Sequence, residues 1–214
     1  MNTEKQGTDV ATQVLEIKRE LRAMMNGPVS QSMRQRGLTY RLNFGVEVPR
    51  LVQLAETLGH SRPLAIALWQ EDIRECRMLA TMLMPPADFD ADLGGLWAEG
   101  LRFPEEADAL AQNLLRHTAW ASSELLPWMA SERHMMRYLA YQLLACLLRD
   151  GRRLTTRDGT EFLDHAVSDL QAATPEGRTA AQAARRALIR YMECGIPEER
   201  MAQSCLRKLK NSTN

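Results

Sequence analysis

Few side chains in this sequence of 214 residues stand at spacings that could do chemistry. His60, His117, His134 and His165 lie singly, and Cys76, Cys146, Cys194 and Cys205 show no Cys-x-x-Cys or Cys/His ligand spacing. No metal site is expected from them, and the cysteines read as small apolar residues of a reducing compartment. There is no Gly-rich phosphate loop, no His-Glu-x-x-His and no Gly-x-Ser-x-Gly, which excludes the standard nucleotide, zinc-protease and hydrolase chemistries. Carboxylates and arginines remain. Phe103-Pro104-Glu105-Glu106-Ala107-Asp108 opens a helix whose acids complement the positive end of its dipole, so by spacing alone Asp108 is a helix-start acid. Of the 27 Lys and Arg residues 23 are Arg, a bias that suits bidentate phosphate contact and that a GC-rich genome would also produce.

Net charge is zero, yet its distribution is uneven: seven acids against one base in residues 85–108 hide a basic remainder. One basic cluster comprises Lys18, Arg19, Arg22, Arg34, Arg36, Arg41 and Arg50. A second comprises Arg185, Arg186 and Arg190 with Arg207, Lys208 and Lys210. Either could grip phosphates, and either could be a solvated face.

The elements that must position these groups are helical. Aromatic residues make up only 6% of the chain, and the apolar weight sits in Leu, Ala and 12 Met, residues that lose little rotamer freedom in a helix. Apolar residues recur at helical spacing, and no run alternates strictly enough to make a strand. Val48, Leu51, Val52, Ala55 and Leu58 form one stripe, opened by Pro49 and closed by Gly59. The spacing predicts one helix from beyond Ser61 to Met84, stopped by Pro85 and Pro86, then pairs at 90–101 with 104–117, 119–130 with 132–149, and 160–173 with 177–194. A last helix carries Pro197 in its first turn, and residues 150–160 read as the longest surface loop. The first helices of successive pairs start near 48, 90, 119 and 160, so the first and last intervals match the period of about 40 to 47 residues of degenerate helical-hairpin repeats and the middle one is shorter. The expectation is a single all-α domain, an α-solenoid or α-α superhelix of HEAT-like repeats, with a plain bundle as the alternative. Trp69, Trp97, Trp120 and Trp128 fall inside helical patterns and are expected in the core. No stretch is apolar enough for a signal peptide or a membrane span, and a cytoplasmic location is expected.

Asn43-Phe44-Gly45-Val46 with Pro49, then Leu68-Trp69, Arg74-Glu75, Arg77 and Leu79-Ala80, resemble the N-terminal half of the DNA alkylation repair family, the AlkD-like HEAT-like-repeat DNA glycosylases. The resemblance runs from about Tyr40 to Tyr191, includes Trp128-Met129-Ala130-Ser131 followed by Arg137, and leaves residues 1–39 as a helical extension outside it. It implies a curved stack of helical hairpins whose basic face holds duplex DNA, and excision of alkylated purines without metal or organic cofactor. Such a base is already a cationic leaving group, so one carboxylate that stabilises the oxocarbenium ion suffices. On this resemblance Asp108 matches the catalytic Asp and Arg137 the backbone-contacting Arg. Arg149, Arg153, Arg186 and Arg190, with Phe103, join them as DNA contacts. Two aromatic walls are missing: Pro104 stands where the family has an aromatic unless Phe103 replaces it, and Arg186 or Ala187 stands where a later Trp would be. Three functions follow as alternatives: a glycosylase for alkylated purines, a catalytically silent relative that binds duplex DNA, and a scaffold for a protein partner.

Overall fold

In the computed structural model, which describes residues 2–171, 174 and 177–212, the chain is all-α. Its helices are α1 (Asn2–Ala23), α2 (Gly27–Gln35), α3 (Val48–Leu58), α4 (Arg62–Trp69), α5 (Arg74–Leu83), α6 (Ala91–Glu99), α7 (Pro104–Asn113), α8 (Leu125–Met129), α9 (His134–Arg149), α10 (Thr156–Gln171), α11 (Gly177–Met192) and α12 (Ile196–Ser212). The contacts group them into two compact units, Met1–Phe89 and Asp90–Asn214.

In the first unit α1 packs on α4, α3 on α5, and α4 against α5 as a hairpin. The helix starts follow local chemistry. Asn26 caps α2 by accepting from the Val29 N–H, Ser61 caps α4 by accepting from the Leu64 N–H, and α2, α3 and α4 each place a proline in the first turn. Leu21, Leu51, Leu68, Leu79 and Leu83 are fully buried between the helices. The single helix expected from beyond Ser61 to Met84 is in fact α4 and α5. Residues 70–73 are pulled out of helical geometry because Leu42 pairs with Ile73 in an isolated bridge: the Leu42 N–H donates to Asp72 O, and the Arg74 N–H donates to Leu42 O. A contact from thirty residues away overrides the local pattern there. The Arg77 guanidinium lies 3.9 Å from the centroid of the Trp69 ring and donates to Trp69 O, closing the bend.

The motif residues at 43–46 and 74–75 form one structural device. The buried Glu75 carboxylate accepts the backbone N–H groups of Phe44 (3.1 Å), Gly45 (2.9 Å) and Val46 (3.2 Å), and Arg74 donates both to Glu75 and to Val46 O. Gly45 has φ +72°, and a Cβ there would stand 2.4 Å from Asn26 O, so only glycine fits this turn.

In the second unit α9 is the central helix. It packs against α7, α8 and α11, while α10 and α11 form a hairpin against which α12 also lies. The stripe Met136, Leu139, Ala140, Leu143, Leu144 and Leu147 is buried as its spacing predicts. The helix expected at 119–130 is a short 3-10 turn followed by α8. The Ala121 N–H donates to Thr118 Oγ1, and Pro127 supplies no N–H to a regular ladder. Trp69, Trp97 and Trp128 are core residues. Trp120 is half-buried, edge-on to Trp128, and its ring occupies the space that a Cβ at Gly94 would need. The loop expected at 150–160 ends at 155, because Thr155 caps α10: its Oγ1 accepts from the Asp158 N–H and donates to Asp158 Oδ2. Gly159 is helical and buried against the Tyr191 hydroxyl. Residues 172 and 173, at the end of the helix expected at 160–173, lie outside the described residues. No helix among the described residues is long and apolar enough to cross a membrane.

Candidate nucleic-acid interface

Two helical stripes of the second unit face a cleft of about 360 Å³. On α9 they are Gln142, Ala145, Cys146 and Arg149; on α11 they are Arg186, Ile189 and Arg190, continued by Glu193 in the turn just past its end. Both sets follow the i, i+3, i+4, i+7 rule that puts residues on one face of a helix. Gln112 of α7 completes the lining. Three arginines therefore converge, and all three are exposed. Glu193 is the one acid among the lining residues, and it is held by Arg190 at 2.8 Å in an exposed pair that contributes little to stability. Burial pushes the Cys146 thiol up, against the pull of Arg149 and Arg116, so it faces the cleft as a protonated thiol and not as a nucleophile.

Asp108 sits beside this cleft on α7. The start of that helix is fixed one turn earlier: Phe103 is its N-cap, Pro104 stands in the first turn, and the buried Glu106 carboxylate reaches back to accept from the Arg102 N–H at 2.8 Å. Asp108 is half-buried, and its Oδ1 accepts both the Tyr138 hydroxyl (2.9 Å) and the Gln142 amide. Tyr138 is buried; its hydroxyl in turn accepts from Arg186 at 3.1 Å, and the Arg186 guanidinium stands 5.7 Å from the centre of the Tyr138 ring. Burial first, and the Asp108 charge second, hold the Tyr138 phenol well above the ordinary tyrosine range, so the proton stays on oxygen and points to the carboxylate.

Of the residues selected by sequence, Arg149, Arg186 and Arg190 line the cleft, and Asp108 is joined to it through Gln142, Tyr138 and Arg186. The others stand elsewhere. Arg153 lies exposed in the loop before α10, donating to Arg152 O. Phe103 is half-buried with the Arg102 guanidinium 5.5 Å from its ring centre. Arg137 is committed inside the unit: Nε donates to Asp169 at 2.9 Å, Nη1 to the carbonyls of Ser131 and Glu132, and Nη2 contacts His134 Nδ1. Adjacent residues on a helix point about 100° apart, which is why Tyr138 reaches the Asp108 side and Arg137 does not. Tyr138 and Gln142 belong to the site as well. Their signal was present, since 138, 142, 145 and 149 form one stripe beside the apolar one.

Arg137 belongs to a second network, in which Asp169 also accepts the Tyr141 hydroxyl at 2.7 Å. Side-chain exposure is 14% for Arg137 and 7% for Asp169. Asp169→Ala should therefore lower stability by about 3 kcal/mol, because it strands a nearly buried guanidinium and a buried phenol. Chemical denaturation measures this, and a loss below about 1 kcal/mol would show that water replaces the carboxylate.

Basic residues of the first unit are partly committed as well: Lys18 pairs with Glu71 at 2.5 Å, Arg34 donates to Ser30, and Arg36 donates to Ser32. The side chains of Lys208 and Lys210 lie outside the described residues. Among the described residues no three His, Cys, Asp or Glu side chains gather around a point where one ion could sit.

Residues 17–180 match the sequence pattern of the DNA alkylation repair enzyme family, and the match takes in α2 and the last third of α1. No curated protein sequence matches the chain. Among solved structures the chain is similar to a protein described as one of a new family related to the HEAT-like repeat DNA glycosylases with affinity for branched DNA structures. The TM-score is 0.79 at 16% sequence identity, over 91% of this chain and 82% of that one. The structural likeness establishes a HEAT-like repeat fold, and the sequence match over most of the chain establishes descent: the protein belongs to the DNA alkylation repair enzyme family.

Proposed function

We propose that the protein binds DNA through the sugar–phosphate backbone at the α7–α9–α11 cleft and does so without excising a base. The observation that carries this reading is the convergence of Arg149, Arg186 and Arg190 on one cleft whose lining contains no aromatic side chain. Guanidinium groups neutralise phosphates and carry no sequence information by that contact, so recognition is of backbone shape. The structural relative belongs to a group described as having affinity for branched DNA, and the same preference is proposed here. On the family resemblance, the places where an alkylated base would need aromatic walls hold Pro104 and either Arg186 or Ala187, and the Arg102 guanidinium stands over the Phe103 ring. A cytoplasmic location and a single-domain organisation belong to this proposal. The family match runs without interruption through residues of both units, which supports the latter.

A second reading, base excision with Asp108 as the catalytic carboxylate, is favoured by one detail. Both hydrogen bonds to that carboxylate fall on Oδ1, leaving Oδ2 without a protein partner among the described residues. A pinned carboxylate with one open oxygen is the geometry that charge stabilisation asks for. A protein-binding role is less well served, because the cleft is ringed by charge.

One experiment separates these readings. Binding to a fluorescein-labelled three-way DNA junction is followed across salt concentration by anisotropy, and release of base from methylated duplex is assayed in parallel. With the three cleft arginines and the exposed Arg153 and Arg185 engaged, about five phosphates are neutralised, and log K should fall with log salt at a slope of about −4.5. No base should be released. Base release that Asp108→Asn abolishes would establish the glycosylase, and a flat salt dependence would remove DNA as the ligand.

A further inference from the structure

We infer that Asp108 acts here as a positioning residue, which holds Arg186 in place for a DNA phosphate through the hydroxyl of Tyr138. The inference rests on the proposed DNA binding at this cleft and identifies what presents its central arginine.

Arg186 is exposed, and a free arginine head samples many rotamers, so binding a phosphate with it ordinarily costs side-chain entropy. Two contacts restrain it. One N–H donates to the Tyr138 oxygen at 3.1 Å, and the guanidinium stands 5.7 Å from the centre of the Tyr138 ring. Tyr138 can serve as this support because it is itself fixed: its side chain is buried, and its own proton is taken by Asp108 at 2.9 Å. The phenol oxygen therefore has its donor direction occupied, and its lone pairs accept Arg186 at 3.1 Å and the Gln142 amide at 3.3 Å. The chain from Arg186 N–H to phenol O–H to carboxylate runs one way, so each bond polarises the next. Of the five guanidinium donors one is used, and the others remain for a phosphate. Gln142 braces the same carboxylate from the adjacent turn of α9, so the support does not depend on Tyr138 alone to orient it.

Two effects of Asp108 on a bound phosphate oppose each other: its negative charge repels, and its hold on Tyr138 steadies Arg186. The Tyr138→Phe variant separates them, since it removes the hydroxyl, keeps the ring and changes no charge. Binding to the labelled three-way junction is measured for Tyr138→Phe, Arg186→Ala and the double variant. Arg186→Ala should weaken binding about tenfold and make the salt slope shallower by about one unit. Tyr138→Phe should weaken it roughly fourfold with the slope unchanged, because the charge is still present and only its order is lost. In the Arg186→Ala background Tyr138→Phe should change affinity by less than about twofold. Asp108→Asn, which keeps an oxygen acceptor for Tyr138, should bind as well as the native protein or better, whereas Asp108→Leu should weaken binding as Tyr138→Phe does. The inference is overturned by equal losses from Tyr138→Phe in both backgrounds, or by tighter binding in Asp108→Leu. If Arg186→Ala itself is without effect while the native protein binds with a steep salt slope, DNA binding stands and this support for it falls. If the native protein does not bind at low salt, the DNA reading falls first.

Discussion

Glu75→Ala will cost the protein about 4 kcal/mol of stability and lower its melting temperature by roughly 10 °C. The reason is that three consecutive backbone N–H groups at Phe44, Gly45 and Val46 are satisfied by this one carboxylate. Gly45 keeps a second acceptor in Asn43 Oδ1, but Phe44 and Val46 would be left with buried donors and no partner. Arg74 would lose the Glu75 carboxylate and keep its bond to Val46 O. Glu75→Gln should lose about half as much, since its amide presents one oxygen to the loop and turns an NH₂ group against the remaining N–H. Differential scanning calorimetry of the two variants tests the ordering, and equal stability of Ala and native protein would mean that the loop is not held by this contact. This loss should appear without any change in which DNA is bound, because the loop and the α7–α9–α11 cleft lie in different units.

The same device shows what a sequence makes legible and what it conceals. The caps at Asn26 and Ser61, the prolines of the first turns and the α9 core stripe are local signals, and the helices start where those signals lie. The break at 70–73 was not legible, because it is imposed by Leu42, and nothing within the segment itself disfavours a helix. The capping Thr155 and Asp158 were present in the sequence, yet two glycines and three arginines nearby gave that stretch the composition of a loop. For the site, the family resemblance selected Asp108, clustered charge pointed to the arginines, and spacing could have added Gln142 and Cys146 on the face of Arg149. Spacing could not say that Arg137 would be consumed by Asp169, since that pairing joins helices 32 residues apart. The motifs at 43–46 and 74–75 identified the family through residues that shape the fold, so they carry descent without carrying activity.

The second large effect is expected at the cleft. Replacing Arg149, Arg186 and Arg190 together by alanine removes three of the five phosphate contacts proposed, so the salt slope should move from about −4.5 to about −2, and affinity at moderate salt should fall a hundredfold or more. The three side chains are exposed and touch the core little, so stability should change by no more than a few tenths of a kcal/mol each, apart from the Arg186 contact to Tyr138. The triple lysine variant is the informative partner. It keeps the charge, and therefore the slope, but replaces planar two-point donors with point charges, so it should bind more weakly than native protein at every salt concentration by a near-constant factor. Preference for a junction over continuous duplex should narrow in the lysine variant, because counterion release is common to both DNAs while the fixed spread of three guanidinium groups fits one backbone path better than the other. A triple alanine variant that binds as tightly as native protein, with an unchanged slope, would move the interface away from α9 and α11 altogether.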